Sequence, residues 1–169
     1  MQDYVADYAW EPVEVTTEDG YILTMFKISN RHLNYHDHPK SVLYQHGYGQ
    51  DATTGIGALN TFFPGEKASA FKFVDEGFNV YMGNFRGTKY SLAHTNPDPS
   101  YNTSFDYWNF TFAEIGVYDV PAFVDKIYTE NGGEKIYIVN SSMATTATTY
   151  ALATPLEEEF FVDRVHKVI

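Results

Sequence analysis

The sequence predicts an α/β fold, a mainly parallel sheet with flanking helices. Three observations predict it. Short apolar, β-branched runs alternate with runs of helical period along most of the chain, which implies βαβ units. One of these strands, Lys135 to Val139, turns sharply at Asn140-Ser141-Ser142-Met143-Ala144 into a Thr/Ala-rich helical run reaching Ala153. The 169 residues are 44% hydrophobic and 17% aromatic, enough for one domain with a real core.

The elements follow in order. Val13 to Ile28 reads as a hairpin: Val13 and Val15 alternate with polar residues, Glu18-Asp19-Gly20 turns, and Tyr21 to Phe26 returns. Arg31 to Lys40 is a polar loop. Ser41 to Gln45 is a short buried strand ending at His46-Gly47-Tyr48-Gly49, and Asp51 to Gly65 is irregular. Lys67 to Glu76 is helical, with Ala68, Phe71 and Val74 on one face and Gly77 as its stop. Phe78 to Met82 is a strand leading into Gly83-Asn84-Phe85-Arg86-Gly87, and Ser91 to Asn109 is a long loop. Ile115 to Thr129 is an amphipathic helix with Val120, Phe123, Val124 and Ile127 inward, ended by Asn131-Gly132-Gly133. After the Ser142 turn and its helix, Pro155 breaks the chain, Glu157-Glu158-Glu159 is solvated, and Val165 to Ile169 begins another strand.

Composition excludes several classes. A net charge of −11 argues against nucleic acid or an anionic membrane surface as partner, and reads as solubility. There are no cysteines, hence no thiol chemistry, disulfide or Cys-ligated metal. No stretch reaches the length of a membrane span, so the chain is read as not transmembrane, and no signal peptide opens it. No cofactor and no metal is expected: His32, His36, His38 and Asp37 share a polar loop, where exposed side chains are the simpler reading. The triplets beginning at Asn102, Asn109 and Asn140 fit the glycosylation pattern; the last falls at the buried turn and is discounted, while the sequence leaves Asn102 and Asn109 undecided.

An apolar strand, a tight corner carrying serine and a following helix form the nucleophile elbow, usually written G-x-S-x-G. Ser142 is therefore read either as a nucleophile or as an ordinary buried serine. Asp119 reads as a first-turn acid favoured by the helix dipole, Asn84 and Arg86 as ties between loops, and His46 as structural. Tyr101, Phe105, Tyr107, Trp108, Phe110 and Phe112 read as packing over the sheet, with a lipid-binding lip as the alternative.

Several segments, in order and across nearly the whole chain, resemble the N-terminal half of the acid lipases of gastric and lysosomal type. They are Val15 to Leu23, Gln45-His46-Gly47, Gly77 to Gly87, Phe105 to Trp108, Tyr118 to Ala122, and the elbow. The resemblance implies an α/β-hydrolase sheet, truncated before the C-terminal strands and lid, with residues 1–169 as the N-terminal portion of one domain. It implies Ser142 as candidate nucleophile and the backbone N–H groups of Tyr48 and Met143 as the oxyanion hole. It suggests a secretory or lysosomal setting, though the chain itself leaves localisation unknown. The sequence departs from the family at Asn140 and Ala144, which replace the two glycines, and at Ser141, which replaces a histidine. The family's catalytic Asp and His match no residue of this chain.

Two expectations follow. One is a lipase-like subunit, not catalytic on its own, acting as a structural or binding component of an assembly. The other is a carboxylic-ester hydrolase for neutral lipid whose His, Asp and lid come from a missing C-terminal half or a second polypeptide. Either way the sheet is expected to be completed from outside this chain, and the Asn140 amide is expected to bond to a neighbouring strand or loop.

Overall fold

A computed structural model describes residues 8–32, 40–53, 68–154 and 158–169. Its frame is one sheet in the spatial order β1-β2-β4-β3-β6-β7, with β5 added beside β2. The antiparallel hairpin of β1 (Tyr8–Thr16) and β2 (Tyr21–Asn30) occupies one side. Beyond it β4 (Asn79–Gly83), β3 (Ser41–Gln45), β6 (Ile136–Asn140) and β7 (Val165–Val168) run parallel to one another. The α/β-hydrolase sheet is therefore present, parallel through its centre and antiparallel at the hairpin.

The strands alternate their side chains between two cores, as the period of two requires. Val42, Val80, Met82 and Ile28 face α1 (Ser69–Asp75) and its Phe71 and Val74. Leu43, Tyr81, Ile136 and Ile138 face the opposite layer. That layer holds α4 (Val120–Glu130), α5 (Met143–Leu152) and α6 (Glu158–Arg164), which contribute Phe123, Val124, Ile127, Ala144, Ala147, Ala151 and Phe161. Burying a side chain of this size contributes about 1.5–3 kcal/mol, so the two layers supply most of what holds the sheet flat against its helices.

The structure corrects several expectations. The hairpin is longer than Val13 to Ile28, because Trp10 packs edge-on against Phe26 and the Tyr8 hydroxyl donates to Asp75 at 2.8 Å. Pro12 is tolerated because β1 is an edge strand. The long loop holds β5 (Ala93–His94), a 3₁₀ turn (Tyr101–Thr103) and α2 (Phe105–Trp108), the last capped by Ser104, which accepts from the Tyr107 N–H. The single helix expected from Ile115 is α3 (Phe112–Glu114), a π-helical turn (Ile115–Asp119) and α4 in succession. Pro121 has no N–H, so the carbonyl four residues earlier loses its α-helical donor, and the wider turn falls across that stretch. Glu159 is exposed as expected, but it lies in α6 rather than in a loop. His36, Asp37, His38, Pro155 and Glu157 lie outside the described residues.

The aromatic run divides. Tyr107 is fully buried, whereas Phe105 is 81% exposed and Trp108 and Phe112 are about half exposed, so packing over the sheet describes only part of it.

Candidate active site

The site forms where β3 and β6 end side by side. Val42 to Gln45 pair in register with Tyr137 to Asn140, so both strands deliver their last residues to one edge. The Gln45 carbonyl then accepts the Ser141 N–H at 3.2 Å, and the chain turns into α5. Ser142 makes that turn with φ 52° and ψ −117°, the only positive φ at a non-glycine among the described residues. L-residues seldom adopt such a conformation, and it costs about 1–3 kcal/mol. It also forces the side chain out of the helix: the Ser142 hydroxyl caps nothing in α5 and the residue is exposed. The turn is sharp although Asn140 and Ala144 stand where glycines are usual. Ala144 is accommodated as a fully buried methyl group.

The loop after β3 passes close by. A Cβ at Gly47 would stand 3.0 Å from Ser142 Cβ, so a larger residue there would press the loop against the turn. Tyr48 follows, 84% exposed at its side chain. Met143 is the first residue of α5, and an N–H at that position has no intrahelical partner. Tyr48 and Met143 line one cavity of about 400 Å³, together with the apolar wall residues Phe85, Trp108, Phe110 and Ile115 and the polar wall residues Gln50, Asp51, Thr88 and Lys89. Lys89 and Asp51 form an ion pair at 3.0 Å across that polar wall.

No described histidine serves Ser142 as a base. His46 follows Gln45 and lines the cavity, and both its ring nitrogens are engaged. Nε2 accepts the Phe85 N–H at 3.3 Å, which places the proton on Nδ1, 2.8 Å from the Gly47 carbonyl. Burial lowers its pKa, so it is a neutral structural histidine. His94 sits between Tyr21 and Tyr101 with its ring nitrogens on the Asp19 carbonyl and the Asn96 N–H. His166 lies on β7 against Tyr137, and His32 is on an exposed loop. Among the described residues no three His, Asp or Glu gather as metal ligands, and no helix is long and apolar enough to cross a membrane.

Arg86 and Asp119 correct the reading of the helix acid. Asp119 is fully buried in the π-helical turn, not at a free helix start, and accepts from both Arg86 Nε (2.7 Å) and the Arg86 N–H (2.9 Å). Arg86 also grips Asp19 of the hairpin turn at 2.6 and 2.9 Å and lies 3.9 Å over the Tyr21 ring. Burial pushes the Asp119 carboxyl up to about 6 against the pull of Arg86. Burial also opposes the Arg86 cation, but its hydrogen bonds to Asp19 and the charge of Asp119 outweigh it and raise its pKa. One side chain thus ties the hairpin, the loop after β4 and the π-helical turn together behind the cavity. Asn84 is a second tie, accepting the Ala52 N–H at 2.9 Å and donating to the Thr24 carbonyl at 2.8 Å.

The sheet order, the serine turn and the cavity can be set beside known proteins. Residues 4–54 match the family model described as a partial alpha/beta-hydrolase lipase region. Gastric triacylglycerol lipase of Rattus norvegicus is 35% identical over 149 residues, covering 87% of this chain and 36% of the relative. Lipase member K of Homo sapiens is 34% identical over 149 residues, with 87% and 35% covered. The chain is thus similar to the lipase family of α/β-hydrolases over most of its own length. It spans about a third of the length of these curated lipase relatives, 35% and 36% of the two named. Solved structures share the fold. An esterase from Pyrococcus furiosus aligns with a TM-score of 0.57 at 20% identity, over 88% of this chain and 48% of the esterase. A hypothetical protein from Pseudomonas aeruginosa aligns with a TM-score of 0.63 at 17% identity, over 96% and 42% of the two chains.

One feature of the chain is not visible in its sequence. Gln45 is wholly buried, and neither its Oε1 nor its Nε2 has a partner among the described residues. Its register partner Asn140 departs from expectation too. Its Oδ1 accepts from Thr148 of α5 at 3.3 Å, not from a strand or loop, and its Nδ2 has no described partner. A polar residue inside an apolar strand was the available signal for Gln45.

Proposed function

We propose that this chain carries the nucleophile half of a carboxylic-ester hydrolase for neutral lipid esters. Ser142 is the nucleophile, and the N–H groups of Tyr48 and Met143 stabilise the oxyanion. The observation that carries the reading is the strained backbone at Ser142, φ 52°, whose chain neighbour Met143 lines an open cavity that Ser142 itself does not line. A merely structural serine gains nothing from a conformation costing about 1–3 kcal/mol, whereas a nucleophile needs its hydroxyl held clear of the helix. Each oxyanion donor is worth about 3 kcal/mol in the transition state. The apolar wall of Phe85, Trp108, Phe110 and Ile115 suits an acyl chain, in keeping with the triacylglycerol lipase among the relatives. The general base comes from outside the described residues, from a C-terminal half or a second polypeptide that also extends the sheet beyond β7.

A second reading, a non-catalytic lipase-like subunit of an assembly, is favoured by Asn140, whose buried Nδ2 is unpaired beneath the turn. Turnover of a short-chain chromogenic ester separates the two. The pure 169-residue chain is expected to be inactive. Supplied with a lipase C-terminal half, it is expected to turn the ester over, and Ser142→Ala to abolish that activity. Activity of the chain alone that Ser142→Ala abolishes overturns the placing of the base. Inactivity after complementation, with no labelling of Ser142 by a fluorophosphonate, selects the subunit reading.

A further inference from the structure

Three buried polar atoms without a described partner belong to two neighbouring strand ends: Gln45 Oε1, Gln45 Nε2 and Asn140 Nδ2. Gln45 and Asn140 are register partners on adjacent parallel strands, so their side chains rise from the same face of the sheet. That face carries Leu43, Ile138 and α5, and Asn140 reaches α5 through Thr148. The Gln45 amide leans the other way, onto β4: a Cβ at Gly83 would meet its Oε1 at 2.5 Å and its Nε2 at 2.7 Å. The two amides are therefore neighbours that do not touch. An unpaired buried polar group costs about 1–3 kcal/mol, and three on neighbouring strand ends are seldom left unrelieved. An internal water relieves such a cluster when it finds two to four polar partners.

We infer that Gln45, Asn140 and Thr148 form a buried polar bridge, closed by one internal water between the two amides, and that this bridge positions Ser142. The water accepts from Asn140 Nδ2 and donates to Gln45 Oε1. The bridge grips both arms of the turn. Asn140 precedes Ser142 by two residues, Thr148 follows it by six, and the Gln45 carbonyl already holds the Ser141 N–H at 3.2 Å. Asn140, in place of the glycine of G-x-S-x-G, thus acts as a strut that fixes the strand end to the helix. Its action on Ser142 rests on the nucleophile reading; the bridge itself does not.

The test uses five variants of the chain and three readouts. Thr148→Val keeps the shape of the side chain and removes its donor, Thr148→Ser restores the donor, and Gln45→Met removes the amide. The first readout is the rate at which a fluorophosphonate labels Ser142 in the chain complemented with a lipase C-terminal half. The second is the thermal midpoint, with a Gln45→Met and Asn140→Gly double-mutant cycle. Thr148→Val is expected to slow labelling about tenfold and Thr148→Ser to restore it, at unchanged fold. Gln45→Met is expected to lower the midpoint with Asn140 present and to leave it unmoved or raised in the Asn140→Gly background. A high-resolution crystal structure is expected to show one water within hydrogen-bond distance of both amides. Unchanged labelling in Thr148→Val overturns the positioning role. A Gln45→Met effect independent of residue 140, or a dry contact between the amides, overturns the bridge. Should the unaltered chain, complemented with a lipase C-terminal half, fail to label at all, the nucleophile reading and the positioning role both fall, and the cycle and the crystal structure still decide the bridge.

Discussion

Two buried polar clusters lie at the end of the sheet, and they differ in one respect. Around Arg86 the donors meet carboxylate oxygens: two bonds to Asp19, two to Asp119, and the Tyr21 ring beneath the guanidinium. Around Gln45 and Asn140, three atoms have no described partner. The first cluster unites elements far apart in sequence and is complete within this chain. The second sits directly under the serine turn and is not. A satisfied network rigidifies a scaffold, whereas an unsatisfied one marks a place where something further is held or where strain is maintained.

Breaking the satisfied cluster carries the largest effect. Arg86→Met leaves Asp119 buried without its cation, and removal of one partner from a buried pair costs about 3–5 kcal/mol. Urea unfolding at neutral pH is expected to show this loss; a loss below about 1 kcal/mol would mean that the pair is far more hydrated than its burial implies. Arg86 holds the Asp119 carboxyl down to about 6, so without it the carboxyl protonates at higher pH, and the deficit of the variant is expected to shrink as pH falls toward 6.

Relaxing the serine turn comes next. Ser142→Gly removes strain of about 1–3 kcal/mol and adds about 0.5–1 kcal/mol of chain entropy to the unfolded state. A net gain of about 1 kcal/mol in stability is expected from the same unfolding measurement. A loss would indicate that the hydroxyl, not the backbone, is what the fold requires there.

His46 belongs with the satisfied cluster, and its titration sharpens the comparison. Its folded pKa is lowered by burial, so the unfolded chain takes up the proton first as pH falls. Stability attributable to His46 is therefore fully present above its ordinary value of 6.5 and is lost as pH falls through and below it. The slope from one group is at most about 1.4 kcal/mol per pH unit. Thermal midpoints between pH 5 and 7.5 are expected to fall more steeply for the unaltered chain than for His46→Gln. Parallel curves would show that the ring is protonated in the fold.

The smallest effect belongs to the cavity rim. Lys89 is 59% exposed at its side chain, and its pair with Asp51 is open to water and salt. Lys89→Ala is expected to shift the thermal midpoint by about 2 °C or less at low salt and not at all at high salt.

What the sequence discloses and what it hides follow the same division. The strand, serine and helix at Lys135 to Ala153 announce the turn through local chemistry, and the turn survives the loss of both glycines because Ala144 adds only one methyl group. Asp119 could not be read locally. Its place near a helix start mimics an ordinary first-turn acid, and its partner Arg86 is 33 positions away. The π-helical turn is likewise hidden, since apolar residues at Val120, Phe123, Val124 and Ile127 fit an uninterrupted helix equally well. Gln45 read as part of Gln45-His46-Gly47, and its isolation emerges only when β3 and β6 are laid in register. The helix around Glu159 was concealed by its charge, because only Phe161 and the half-buried Phe160 turn that segment inward.

The π-helical turn has one further consequence. Gly116 lies so close to α5 that a Cβ there would stand 2.6 Å from the Ala147 carbonyl oxygen. Two backbones in contact leave no side chain between them to act as a cushion, and Asp119 anchors the same turn to Arg86. The serine helix and the arginine anchor therefore open together or not at all. In native-state hydrogen exchange, the amides that follow Met143 should exchange in the same cooperative unit as those around Asp119, not as a separately fraying helix end.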